Sequence, residues 1–141
     1  MPRAFRFQPR VEPLRGALAE LPLVELAARL VPARAPCVLL CGWPAGAALL
    51  AFAPLCATRA RSVSGIGSTL SQLEVVDGDP VPGPFQGGFL GALAYELGRA
   101  AEPGLVLPRD PWGWPELVGW LFCDFLVELP GGERFLVLGE E

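Results

Sequence analysis

The sequence has 141 residues, a formal net charge of -4, 52% hydrophobic residues and 18% charged residues, which predicts one domain, 1–141, with apolar surface that needs covering. It contains no His and no Lys, so a Ser-His-Asp or Cys-His site, a Schiff-base amine and a phosphate-loop lysine are excluded within this chain. Its 11 basic residues are all Arg and lie scattered along an acidic chain, which argues against nucleic-acid binding.

The first elements along the chain are predicted to be a strand and a helix. Phe5–Val11 alternates apolar and polar residues, as in a strand with one solvated face. Leu23–Val31 carries an apolar stripe at helical spacing, with Pro22 at its start and Pro32 as its stop.

The uncharged stretch Ala35–Thr58 has two interpretations. It is long enough to cross a bilayer, but three prolines would break a helix where lipid offers no partner for the freed backbone groups. Two apolar strands, Cys37–Cys41 and Ala47–Ala53, joined by a Gly-Trp-Pro-Ala-Gly turn, fit this composition better. We therefore predict a hairpin and no membrane partner.

The remaining chain is predicted to add strands. Arg59–Pro84 is polar and indicates a surface connection with a short strand at Leu73–Val76. Gly87–Gly98 mixes small and large residues, as in a buried strand that turns near its end. Two apolar runs, Leu117–Leu129 and Arg134–Leu138, flank a Pro-Gly-Gly turn and predict a second hairpin. The predicted fold is α+β, with a mainly antiparallel sheet and one or two helices.

The cysteines are predicted to be buried free thiols. Cys37, Cys41, Cys56 and Cys123 have apolar neighbours, and neither a second closely spaced pair nor a His completes a zinc site. The N-terminus has no apolar core of a secretory signal, so a reducing cytoplasm is the expected compartment.

The segment PFQGGFLGALAYELGRAAE, residues 84–102, concentrates glycines. Gly87, Gly88 and Gly91 could form a phosphate cradle, but no Lys, Ser or Thr follows them, and close backbone packing against another strand is the simpler interpretation. The polar pair Glu96 and Arg99 is expected to form a surface or interface salt bridge.

The same segment resembles a signature in the N-terminal region of the chorismate-utilising synthases, anthranilate synthase component I and aminodeoxychorismate (para-aminobenzoate) synthase component I. The Leu-Gly-Arg continuation is closer to the second. The residues that match this signature are Phe85, Gly87, Gly88, Gly91, Tyr95, Glu96 and Arg99.

The resemblance extends in both directions along the chain. An upstream strand, turn and strand is similar to the family's pattern, and so is a downstream strand with a Pro-Asp/Glu start. The matching residues are Leu39, Leu40, Gly42 and Pro54 upstream, and Pro115, Glu116, Gly119 and Asp124 downstream.

The resemblance implies a non-catalytic part of a two-sheet α+β sandwich. Chorismate, Mg²⁺ and the catalytic residues would belong to a chorismate-binding region that this sequence lacks, so this chain by itself is expected to hold no cofactor and to catalyse nothing. The implied partners are that region, or a separate chain carrying it, and a glutamine amidotransferase subunit.

The family's tryptophan pocket is expected to be degenerate here. Leu40 matches the pocket strand, but Cys41 and Gly42 occupy the place of its serine, and the facing segment of small apolar residues, 44–47, offers nothing to bind an ammonium or a carboxylate. We expect no tryptophan binding.

The sequence is also compatible with two other functions. The chain could be a free-standing ligand-binding or interaction module that keeps the fold without the synthase. It could also be a membrane-associated protein built on the hairpin of Ala35–Thr58.

Overall fold

A computed structural model describes residues 5–32, 35–42, 46–60, 64–94, 102, 104, 106, 111–113 and 115–140. The strands are β1 (Phe5–Pro13), β2 (Val38–Cys41), β3 (Ala48–Phe52), β4 (Cys56–Ala60), β5 (Leu73–Val75), β6 (Gly88–Leu93), β7 (Leu117–Phe122), β8 (Asp124–Glu128) and β9 (Arg134–Glu140). The helices are α1 (Ala17–Glu20), α2 (Leu23–Leu30) and α3 (Ser64–Leu70).

These strands form two sheets. A six-stranded sheet has the order β2-β3-β8-β9-β1-β5, and a three-stranded sheet has the order β4-β7-β6. The strands β1 and β5 pair in parallel, whereas the other pairs in both sheets are antiparallel. The fold is therefore α+β and mainly antiparallel, as the sequence predicts.

The inner strand β3 is buried on both faces, which explains why its sequence is apolar without alternation. Leu50 and its even-numbered neighbours pack with Leu23 and Leu26 of α2. Leu49 and Ala51 enter a second core cluster on the opposite face of the sheet. Both faces of the six-stranded sheet thus carry a hydrophobic core.

The second core is shared by the two sheets. Phe7 and Phe125 enter it from the six-stranded sheet, and Phe122 enters it from β7 of the three-stranded sheet. Each of these rings is almost completely buried. Removal of this much aromatic surface from water is the main attraction between the sheets.

Helix α3 covers the other face of the three-stranded sheet. It contacts β4 and β6, and the hydroxyl oxygens of Thr58 and Thr69 share a hydrogen bond of 2.6 Å between these elements. Leu117 and Leu121 are fully buried and lie on the same face of the sheet as Thr58, because Thr58 pairs with Gly119 between them.

Arg134 ties helix α1 and Leu21, which follows it, to the β8–β9 hairpin. Its guanidinium donates to the carbonyl oxygens of Ala19 (2.8 Å) and Leu21 (2.5 Å) and to the carboxylate of Glu128 (2.5 Å). A guanidinium suits this place, because its donors diverge from one rigid plane toward three acceptors.

Several predicted elements are confirmed. The N-terminal strand, the helix that begins at Leu23, the hairpin within Ala35–Thr58, the short strand at Leu73 and the C-terminal hairpin are all present. Residues 43–45 of the first hairpin lie outside the described residues. Among the described residues, no helix combines the length and apolarity needed to cross a membrane.

Other expectations were wrong. The sequence predicts one or two helices, whereas the described residues contain three, because α3 lies in the segment 59–84, for which the sequence predicts a surface connection. The residues of α3, Ser-Gly-Ile-Gly-Ser-Thr-Leu, have low helix propensity and no clear apolar period, so only its packing on the sheet supports it.

The apolar run Leu117–Leu129 is also two strands and not one. The chain leaves the three-stranded sheet after Phe122 and enters the six-stranded sheet at Asp124. If the β8–β9 ladder is continued past its end, Gly139 of β9 lies opposite Cys123. Cys123 belongs to neither β7 nor β8, so the Gly139 N–H has no main-chain partner in β8. The Asp124 side chain accepts the hydrogen bond from the Gly139 N–H at 2.9 Å and takes the place of a main-chain carbonyl.

Burial raises the pKa of the Asp124 carboxyl above its ordinary value of 3.8, and the Gly139 N–H opposes this shift by stabilising the carboxylate. The pKa of Asp124 is higher in the folded protein than in the unfolded chain. The free energy of unfolding therefore falls as pH rises from 3.8 through the raised pKa. We expect Asp124→Asn, which keeps the acceptor and loses the charge, to remove this component from the pH dependence of urea unfolding.

Asp124→Ala is the matched control, because it removes both the acceptor and the charge. We expect it to be about 1–2 kcal/mol less stable than Asp124→Asn at neutral pH, since the Gly139 N–H then lacks its partner. Equal stabilities of the two variants would contradict the role given to this hydrogen bond.

Candidate functional site

The segment that carries the sequence signature begins on the core face of the six-stranded sheet. Phe85 is buried and meets Phe125 edge to face, with ring centroids 4.9 Å apart and planes at 75°. The side-chain amide of Gln86 donates to the carbonyl oxygens of Val81 (3.2 Å) and Gly83 (3.0 Å) and closes the preceding turn. These contacts fix where β6 begins.

Gly87 and Gly88 adopt backbone conformations that disfavour other residues. Gly87 has φ +86°, and a Cβ atom there would lie 3.0 Å from Cε1 of Phe7. Gly88 has φ +139°, but its nearest contact would be Leu70 at 3.9 Å. The expected crowding is therefore wrong for Gly88, which is required for its backbone conformation and not for space.

Close approach of two strands occurs instead at Gly91. It lies opposite Gly119 of β7 in the antiparallel ladder. A Cβ atom on Gly91 would lie 2.7 Å from the Cα of Gly119, and one on Gly119 would lie 2.7 Å from the carbonyl oxygen of Leu90. The predicted backbone packing is confirmed at this position.

The ring of Phe89 fills the space above this glycine pair. Its Cε1 would lie 3.0 Å from a Cβ on Gly91, and its Cζ would also collide with a Cβ on Gly119. An aromatic ring laid over cross-strand glycines replaces the side-chain contacts that the glycines lack. The two glycines and the ring therefore act as one packing unit in the three-stranded sheet.

The second half of the signature, from Tyr95 onward, is described only in part. Tyr95, Glu96 and Arg99 lie outside the described residues, and so does any contact between Glu96 and Arg99. Glu102, the last residue of the signature, is described and exposed.

The residues of the predicted degenerate pocket lie at the end of β2. Leu40 is half-buried and packs toward the shared core, whereas Cys41 and Gly42 are exposed. Opposite them in β3, Leu49 and Ala48 are apolar and buried. Residues 44 and 45 of the facing segment lie outside the described residues, and the described part of this hairpin brings no charged side chain to the pocket.

The cysteines differ from the expectation of four buried thiols. All four are free, but Cys37 and Cys41 are exposed and Cys56 is half-buried. Only Cys123 is buried, and burial raises the pKa of its thiol to about 12, with smaller contributions from Asp124 and Cys56. Cys123 is thus a neutral core thiol at physiological pH and is poorly suited to act as a nucleophile.

The described ionisable groups do not assemble into a reactive centre. Within the described part of the chain, no group of three or more Cys, Asp or Glu residues is arranged to hold a metal ion. Arg134 was not singled out from the sequence, because its carbonyl partners lie more than 100 residues away. The described signature residues are arranged to pack the sheets, and their side chains bring no reactive group together.

Comparison with known proteins adds no identification. No protein-family model matches the chain, and no curated protein matches it significantly.

The glycine pair can be tested by Gly119→Ala. The added methyl group would overlap the Phe89 ring and the backbone of β6, so we expect a loss of about 1–3 kcal/mol in the free energy of unfolding, measured by denaturant titration. Gly131→Ala is the matched control, because its nearest contact would be Glu133 at 3.7 Å, and its effect should stay within about 0.5 kcal/mol. Equal effects of the two substitutions would contradict the close-packing role.

Proposed function

We propose that this chain is the non-catalytic N-terminal region of a chorismate-utilising synthase, most closely an aminodeoxychorismate synthase component I. The observation that carries the proposal is the ordered signature from Phe85 to Glu102, together with the upstream and downstream matches. Several matching residues have a structural role in the described fold. Phe85 packs in the core, Gly91 and Gly119 allow two strand backbones to approach closely, and Asp124 accepts a hydrogen bond in place of a main-chain carbonyl.

The role of the chain in this proposal is structural. It supplies part of a two-sheet sandwich that a chorismate-binding region completes. In the complete enzyme, ammonia from a glutamine amidotransferase replaces a hydroxyl group of chorismate to give 4-amino-4-deoxychorismate, the precursor of para-aminobenzoate and folate. The catalytic groups and Mg²⁺ belong to the chorismate-binding region, and the described residues here offer no acidic cluster to hold that ion.

Incomplete cover on the three-stranded sheet supports the need for such a partner. On the face opposite α3, burial decreases along β7 from Phe122, which is fully buried, through Trp120 to Val118, which are half-buried. The flanking residues on this face, Ala57, Arg59 and Ala92, are exposed, and Arg59 lies beside Val118 at the β4 edge. We refer to Ala57, Ala92 and Val118 as the open face and assign it to the chorismate-binding region.

Co-expression with a separate chorismate-binding chain tests this function. We expect a stable complex that produces aminodeoxychorismate when an amidotransferase or ammonia is supplied, with each chain inactive alone. A bulky charge on the β6 side of the open face, Ala92→Arg, should weaken co-purification at least tenfold, because a desolvated unpaired charge is costly at an interface.

Val24→Arg is the matched control for that variant. Val24 is 66% exposed on α2, at the opposite side of the six-stranded sheet, so this substitution adds the same charge away from the open face. It should leave the complex unchanged. Failure of the wild-type chain to form any complex would favour the free-standing interaction module.

The degenerate pocket gives a second test of the proposal. An amino-acid ligand needs charge-assisted hydrogen bonds for its ammonium and carboxylate groups, and the described residues of the β2–β3 hairpin, which holds Leu40, Cys41 and Gly42, are uncharged. We expect calorimetric titration with tryptophan to give no saturable heat at micromolar concentrations. Saturable micromolar binding would contradict this interpretation of the pocket.

A further inference from the structure

Among the described strands, β2 is an outer strand of the six-stranded sheet, with β3 as its one neighbour there. Outer strands commonly carry charges that discourage pairing with other chains, as the exposed Arg59 of β4 and Glu74 of β5 do here. The sequence of β2, Val-Leu-Leu-Cys, contains neither a charge nor a proline. The outer strand β6 also contains neither a charge nor a proline, but it borders the open face that is assigned to the chorismate-binding region.

Two exposed cysteines accompany this edge. Cys37 directly precedes β2 and Cys41 ends it, and both thiols are free and exposed. Cysteine is among the residue types most often buried, so two exposed cysteines beside one unprotected edge indicate surface that becomes covered. Four residues of extended chain separate them by about 13 Å, which is too far for a disulfide within one molecule.

Their spacing is self-complementary about Leu39. If β2 pairs antiparallel with β2 of a second copy, and Leu39 faces its own equivalent, then Cys37 of each copy lies opposite Cys41 of the other. Residues opposite each other across an antiparallel pair have Cα atoms about 4.5–5.5 Å apart, within the range that a disulfide spans. Cys37, Leu39 and Cys41 also share one face of the strand, so both cysteine pairs would lie on the face toward α2.

We propose that β2 is the interface of a symmetric homodimer in which the two six-stranded sheets join edge to edge. The two-fold axis passes through Leu39, the edge hydrogen-bonding groups of β2 are paired, and Cys37 of each copy lies beside Cys41 of the other. The contact is short, so the dimer is weak and concentration-dependent, with a dissociation constant on the order of micromolar or above. This interface is separate from the open face and does not depend on the proposed synthase function.

Cysteine exchange tests the register. Cross-linking uses diamide, which accepts the two electrons and two protons released when two thiols form a disulfide. The wild-type chain should give a covalent dimer of twice its 15.0 kDa mass. Cys37→Ser and Cys41→Ser should each fail to cross-link alone, because the remaining cysteines lie about 13 Å apart across the dimer.

A mixture of the two single variants should restore the cross-link, since one copy then supplies Cys41 and the other supplies Cys37. The double variant Cys37→Ser with Cys41→Ser is the control for Cys56 and Cys123, and it should remain uncross-linked. A cross-link in the double variant, or in either single variant alone, would overturn the proposed interface.

Charge exchange tests the dimer without oxidation. The double variant Cys37→Lys with Cys41→Lys places a lysine of one copy opposite a lysine of the other at both ends of the β2 pairing. It should weaken dimerisation at least tenfold in sedimentation equilibrium. Cys37→Lys with Cys41→Glu pairs opposite charges at the same exposed positions and should dimerise at least as well as wild type. Equal masses for the two variants, or a wild-type chain that stays monomeric at several hundred micromolar, would overturn the proposal.

Discussion

The passage of the chain from β7 to β8 through Cys123 is the constraint on which the rest of the structure depends. One residue separates the two strands, yet they belong to different sheets. The sheets must therefore meet at this corner, and Phe122 and Phe125 enter one core from the two sides of it. The corner also ends the pairing between β8 and β9, which leaves the Gly139 N–H of β9 without a main-chain acceptor. The Asp124 carboxylate accepts this hydrogen bond instead.

This corner explains why so many apolar residues of the chain are buried. The six-stranded sheet is covered by α2 on one face and by the three-stranded sheet on the other, and α3 contacts the outer strands of the three-stranded sheet. Strands enclosed on both faces need apolar residues at consecutive positions, as in β3. Among the described residues, the open face keeps exposed and half-buried apolar side chains and the edge of β2 carries no charge, and both are suited to contact with another chain.

The sequence predicted the local elements better than their partners. The period-two pattern of β1 and the helical stripe of α2 can be recognised because each element has one apolar face. Helix α3 was not predictable, because its glycines and serines do not favour a helix and its support comes from packing on β4 and β6. The run Leu117–Leu129 is apolar throughout, so its pattern contains no sign that the chain changes sheets at Cys123.

The sequence by itself determined the α+β class, the hairpins and the absence of His and Lys chemistry, because composition and short-range periodicity depend only on neighbouring residues. The need for glycine in the signature was also evident, but its cause was not. Only the tertiary structure decided that Gly91 faces Gly119 while Gly88 is set by its φ angle, and that Cys37 and Cys41 are exposed. These properties depend on strand register and burial, which arise from contacts between residues far apart in the chain.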